Sequence, residues 1–97
     1  MFVKIHKSYR TVVALCDAEL IGKRFEEGNR QLDLRESFYK DKEVTHEEAV
    51  KIITFQLCED ATFNIVGEKS IAAAIAAGAI VKSNVARVDN IPFTLIF

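Results

Sequence analysis

Thr11–Gly28 reads TVVALCDAELIGKRFEEG. Its first six residues are apolar or β-branched at every position, so the strand they predict, Thr11–Cys16, has no polar face to give to water. Such a strand belongs in the middle of a sheet with both faces covered. Asp17 stops it. The carboxylate can cap a single helical turn over Ala18–Ile21, and Gly22 can end that turn in a left-handed conformation. Polar groups therefore gather at the end of an apolar strand, an arrangement that serves structure as readily as function.

Working outward, Met1–Ile5 alternates Val3 and Ile5 against Lys4 and predicts a first strand. The polar break His6–Tyr9 joins it to the second as a hairpin. Beyond the opening stretch, Lys23–Glu26 extends again and Glu27-Gly28-Asn29 is a turn signal. Arg30–Arg35 alternates polar and apolar, which predicts a half-exposed strand antiparallel to the preceding one. Glu36–Lys42 reads as irregular, anchored by Phe38 and Tyr39.

Thr45 and Glu48 have capping-box spacing, and Ala49, Val50, Ile53 and Leu57 fall on one face, so a helix is expected over 45–59. Thr62–Val66 is a short strand leading through Gly67 into a second helix over 68–77, closed by Gly78. Val85–Val88 and Ile91–Phe97 are two further strands turning at Asp89-Asn90. Pro92 cannot donate to a ladder and should lie at an edge or a bulge.

The sum is an α+β fold: one small domain over 1–97, a mostly antiparallel or mixed sheet of six or seven short strands, and two main helices. The strand–helix–strand unit at 62–88 is expected to supply one parallel pairing.

Composition agrees. Ninety-seven residues with 49% apolar content build one core, and 28% charge with a net of −1 excludes a disordered polyelectrolyte. No apolar run reaches the length of a membrane span, and MFVKIHKSYR lacks the apolar run of a secretory signal. A cytoplasmic protein with no membrane partner is the expectation. Residues 1–42 carry nine Lys/Arg against seven acids, and residues 43–97 four against seven. Any basic face therefore lies on the N-terminal half.

The chemistry-bearing motifs are sparse. Gly22-Lys23 does not make a phosphate loop, because Asp17 stands where the first glycine belongs and Arg24 where the hydroxyl belongs. Asn64, Gly67 and Lys69 surround a strand-to-helix junction whose free amides could hold an anion, although Glu68 would oppose one. Cys16 and Cys58 read as two reduced thiols. His6, His46 and the cysteines lack zinc-ligand spacing, so neither a metal nor a cofactor is expected. For nucleic acid, basic side chains interleaved with aromatic platforms are needed. The candidates are Lys7, Arg10, Lys23, Arg24, Arg35 and Tyr39, with Tyr9, Phe38 and Lys40 beside them. No residue pair stands out as catalytic.

Val12–Lys23 (VVALCDAELIGK), with Phe25 and Gly28, resembles the signature of the archaeal domain-of-unknown-function 424 family. Phe38-Tyr39, Asn64–Gly67, Gly78 and Ile91-Pro92 extend the likeness over nearly the whole chain. Asp89-Asn90 departs from it where a glycine-containing turn is usual, and Phe93 where a more polar residue is common. The resemblance implies a small archaeal cytoplasmic protein, in a family labelled RNA-binding or translation-associated. It points to a non-catalytic accessory protein with RNA, the ribosome or translation factors as partners. Two alternatives compete. One is an adaptor or homo-oligomer joined through Thr94–Phe97 as an exposed edge strand. The other is a small enzyme using Cys16, Asp17 and Lys23.

Overall fold

The computed structural model describes residues 1–97. In chain order the elements are β1 (Phe2–His6), β2 (Val12–Cys16), a 3-10 turn (Ala18–Leu20), β3 (Arg24–Glu27), β4 (Arg30–Asp33), α1 (Glu36–Tyr39) and β5 (Lys42–Glu43). They continue as α2 (His46–Cys58), β6 (Thr62–Val66), α3 (Glu68–Ala76), a second 3-10 turn (Lys82–Asn84), β7 (Ala86–Val88) and β8 (Ile91–Ile96). Six strands form one mixed sheet in the order β5-β1-β2-β6-β8-β7, and β3 and β4 form a separate hairpin.

β2 is interior, as its two apolar faces require. It pairs antiparallel with β1 and parallel with β6, with Val12 opposite Thr62 and Cys16 opposite Val66. On one face Val13, Leu15, Phe63 and Ile65 pack under α2 and α3 through Ala49, Ile53, Ile71, Ala73 and Ala74. On the other, Ala14, Cys16 and Val66 are buried against Leu34 and Tyr39, with Phe25, Leu32 and Phe93 around them. The β3–β4 hairpin and α1 are thus a lid on the second face.

The expected parallel pairing exists, but not at 62–88. β6 and β7 run in the same direction on either side of β8, which pairs antiparallel with both. The helix α3 therefore crosses over a strand that the chain adds last. The parallel neighbours are β2 and β6, a pairing 50 residues apart in sequence that local reading could not see.

Two further expectations change. Glu36–Lys42 is not irregular: it holds the single-turn α1 and reaches the short edge strand β5. Pro92 is not at an edge, since β8 is flanked on both sides and Pro92 is fully buried. Val88 and Ile91 close the two-residue turn, so Arg87 and Pro92 form the next, non-hydrogen-bonded pair. The proline nitrogen then points toward the β6 side, where β6 has already ended and only Gly67 donates, to the Pro92 carbonyl at 2.8 Å. The missing donor costs nothing there.

The caps are as the sequence indicates. Thr45 accepts from Glu48 N–H at 3.2 Å and its own N–H donates to Glu48 Oε1 at 3.0 Å. These bonds hold the Glu48 carboxyl below its usual range. After α3, Gly78 N–H donates to Ile75 and Ala79 N–H to Ala74, the paired bonds of a Schellman motif. Asp89 and Asn90 both adopt positive φ, 49° and 65°, so a type I′-like turn forms there without glycine.

Candidate functional site

The junction singled out for anion binding is filled from within. Asp17 is 2% exposed and does not cap its own 3-10 turn. Its carboxylate instead reaches α3: Oδ2 accepts from Lys69 N–H at 3.0 Å, while Oδ1 accepts from Ser70 N–H at 2.8 Å and Ser70 Oγ at 2.7 Å. Two of the free amides at the positive end of α3 are thereby satisfied. Gly67 is required for the approach. Its φ is +109°, and a Cβ built there would lie 2.3 Å from Asp17 Cγ. Gly67 and Lys69 are brought together around a carboxylate of the protein itself, which takes the Lys69 and Ser70 amides expected to face an external anion. Asn64 serves a different contact, accepting from the buried Tyr39 hydroxyl at 2.8 Å.

That contact also removes Tyr39 from the candidate nucleic-acid surface. The ring is buried, edge-on to Phe38, and burial pushes its hydroxyl pKa well up. Phe38 in turn stacks on His6, whose Nε2 lies 2.8 Å from the Phe38 carbonyl. The aromatic pair is therefore the anchor of α1 on the sheet rather than a stacking platform for bases.

The remaining candidates fall into two groups at opposite ends of β2, separated by about 16 Å of strand. Lys23, Arg24 and Arg35 are exposed on or beside the β3–β4 hairpin. Arg24 is paired with Glu26 at 2.8 Å and bonded to Gln31 at 2.9 Å, and Arg35 is paired with Asp33 at 2.9 Å. The outer face of the hairpin is consequently close to neutral. Lys23 alone of the three makes no ion pair within the chain.

At the other end, the β1–β2 loop carries Lys7, Tyr9 and Arg10. Tyr9 is fully exposed, touching nothing that would explain an aromatic ring there. Lys7 is exposed beside it, and Arg10 is held outward by Asp60, 3.3 Å to the carboxylate and 3.1 Å to the carbonyl. An aromatic ring in water can stack on a base while Lys7, which makes no ion pair within the chain, meets phosphate and Arg10 stays paired with Asp60.

The enzymatic alternative loses its nucleophile. Cys16 is completely buried, and burial, with Asp17 next, pushes its thiol up to about 12. Such a thiol is a packed core group rather than a source of thiolate. Cys58 is exposed at the end of α2.

Residue-by-residue reading missed Ser70, which lies 53 positions from Asp17 and has no local signal. Tyr9 is one of several aromatic residues in the basic N-terminal half, and its isolation in the Lys7–Arg10 loop is the sign that sets it apart.

Fold and site define a small α+β domain whose most elaborate polar cluster, around Asp17, is bonded within the chain. A model of the family described as protein of unknown function, DUF424, matches residues 6–97, so the chain belongs to that family. It is similar to a solved structure described as the crystal structure of an uncharacterized conserved protein from Methanopyrus kandleri. The two share 25% identity with a TM-score of 0.89, over 98% of this chain and 88% of that one. No curated protein matches the chain. No helix is long and apolar enough to cross a membrane.

Proposed function

We propose that this chain is a non-catalytic RNA-binding accessory protein, associated with translation in an archaeal cytoplasm, and that it grips unpaired RNA through the β1–β2 loop. The observation that carries the reading is Tyr9, a fully exposed ring set between Lys7 and Arg10. Stacking of one base on such a ring contributes about 1–3 kcal/mol, and it tolerates any sequence. With a net charge of −1, the protein supplies no long-range attraction, so affinity must come from this local patch.

Fluorescence anisotropy of labelled single-stranded RNA, and of tRNA, tests the reading. Saturable binding is expected at low salt, weakening as salt rises because phosphate contacts release counterions. Tyr9→Ala should weaken binding by about 5- to 160-fold, the equivalent of one stacked base. Lys7→Glu should lower both affinity and salt slope. Lys23→Glu with Arg24→Glu should change little, since both lie at the end of β2 opposite Tyr9 and Arg24 is already paired with Glu26. Absence of saturable binding at low salt, or full affinity in Tyr9→Ala, would refute it.

A second reading, a protein adaptor, draws on the far half of β8. Leu95 is 48% and Phe97 86% exposed, and β7 pairs β8 only through Phe93. The alternation of the ladder turns the Leu95 backbone toward this vacant edge. β7 covers only Ile91–Phe93 of β8, so the stretch Thr94–Phe97 keeps one open edge. Antiparallel pairing of two copies centred on Leu95 would drive Phe97 into the place that β7 already occupies. This reading therefore takes a foreign strand. Light scattering should give a monomer; a dimer abolished by Leu95→Glu would overturn that exclusion.

A further inference from the structure

The split connection from β6 through α3 to β7 has a geometric consequence. α3 packs over β6 and β8, the two inner strands, and β7 lies one strand further out. The face of β7 on the α3 side is left uncovered, and a cavity of about 430 Å³ opens between helix and strand. That volume is in the range of sites for small ligands, which are mostly apolar with a few convergent polar groups. Its apolar wall is Ile71, Ile75, Val85 and Pro92, and its polar rim is Glu68, Lys82 and Arg87.

The rim carries an unbalanced positive charge. Arg87 Nη1 is fixed by Glu68 Oε2 at 3.3 Å and by the Asn90 carbonyl at 3.0 Å, leaving its other nitrogens free to donate. Lys82, on the exposed 3-10 turn, makes no ion pair within the chain. One acid thus faces two cations beside an apolar wall.

We propose that this cavity binds an amphipathic monocarboxylate, with its apolar body against Ile71, Ile75, Val85 and Pro92 and its carboxylate between Lys82 and Arg87. The site is remote in sequence from the Lys7–Arg10 loop and independent of RNA binding. An apolar body alone would leave the rim's one excess positive charge without a counter-charge, and a dianion would meet Glu68. The single negative charge is what the rim selects.

Titration of the ¹⁵N-labelled protein with decanoate, read by amide chemical shifts, tests the proposal. Saturable shifts are expected at Ile71, Ile75 and Val85. Lys82→Glu, on an exposed turn where the fold tolerates it, should weaken binding about tenfold by reversing one charge of the rim. Ala72→Trp, whose ring would occupy the mouth, should abolish it. Decanol, the same body without the charge, should bind at least about tenfold more weakly. Tyr9→Ala should bind decanoate as the wild type does, whatever its RNA affinity. No saturable shift, equal binding of decanol, or unchanged affinity in a folded Lys82→Glu variant would overturn the assignment.

Discussion

Replacing Asp17 by alanine should be among the most damaging single changes in this protein, and its cost can be built from the geometry. The carboxylate serves three donors: the Lys69 amide, the Ser70 amide and the Ser70 hydroxyl, at 3.0, 2.8 and 2.7 Å. Ser70 is completely buried, so its two donors cannot turn to water. A buried donor left without a partner costs about 1–3 kcal/mol, and loss of an N-cap about 0.5–2 kcal/mol. These overlap, since the amide bonds are the cap, and a total of about 3–5 kcal/mol results. Asp17→Asn should cost about 1–3 kcal/mol, because its oxygen can still serve Ser70 while its NH₂ group faces the Lys69 N–H. Against a typical stability of about 5–15 kcal/mol, the alanine variant should lose a large part of its fold. Urea unfolding followed by far-ultraviolet circular dichroism reads this as a midpoint lower by about 2 M. A second variant isolates the contact. Gly67→Ala introduces a Cβ that would stand 2.3 Å from Asp17 Cγ, at a φ of +109°. In Asp17→Ala that collision disappears and only the backbone strain remains. The double variant should therefore lose at least about 1 kcal/mol less than the two single costs together. An Asp17→Ala cost below about 1 kcal/mol, or strict additivity with Gly67→Ala, would refute the reasoning.

Three other outcomes are expected. The capping box depresses the Glu48 carboxyl in the folded state, so its contribution is present above the unfolded pKa and is lost as pH falls through the folded one. Urea titrations on the acid side of neutrality should show a shallower acid decline in Glu48→Gln than in the wild type, and an identical slope would count against the box. Cys58 is exposed and Cys16 is buried with its thiol pushed up to about 12. One thiol equivalent should therefore react promptly with a disulfide reagent and the second only on unfolding, and Cys58→Ser should remove the prompt phase. The buried Tyr39 hydroxyl, raised by desolvation, should stay protonated until alkali opens the fold. Tyr39→Phe should delete that late ultraviolet transition and cost about 1–2 kcal/mol by stranding Asn64 Oδ1.

Much of this architecture was legible because it is written in short-range chemistry. The apolar run at Val12–Cys16, with no polar face, calls for an interior strand, and the structure adopts it. Thr45 with Glu48 and Gly78 after α3 act within a single turn, so both caps could be read from spacing. What escaped depends on closure over long distances. The parallel partner of β2 is separated from it by the hairpin lid, α1 and α2, and nothing local to Val12–Cys16 names β6 rather than another strand. Pro92 misled for a related reason. A proline excludes one hydrogen bond, which signals an edge only if the neighbouring strand extends that far, and β6 stops at Val66.

The cluster at the end of β2 shows why chemical density is a poor guide to function in this fold. Asp17, beside a glycine, a lysine and a strand end, carries the surroundings of a binding loop. Yet an interior strand meeting a helix N-terminus creates an electrostatic demand of its own, with two or three free amides and a positive dipole end beside the buried Ser70. Water cannot satisfy the Ser70 share of that demand, because Ser70 is completely buried. A carboxylate supplied by the chain can, provided the residue opposite is glycine. The polar groups most tightly bound into the structure are therefore those with least freedom to meet a partner. By the same logic, side chains left without intramolecular work are the ones to test. Tyr9 has neither a packing partner nor a hydrogen bond, and Lys82 faces an apolar cavity with no counter-charge of its own. Neither side chain is committed to the fold, and the two proposals give each a ligand of opposite character: a stacked base for the ring, an amphipathic carboxylate for the ammonium.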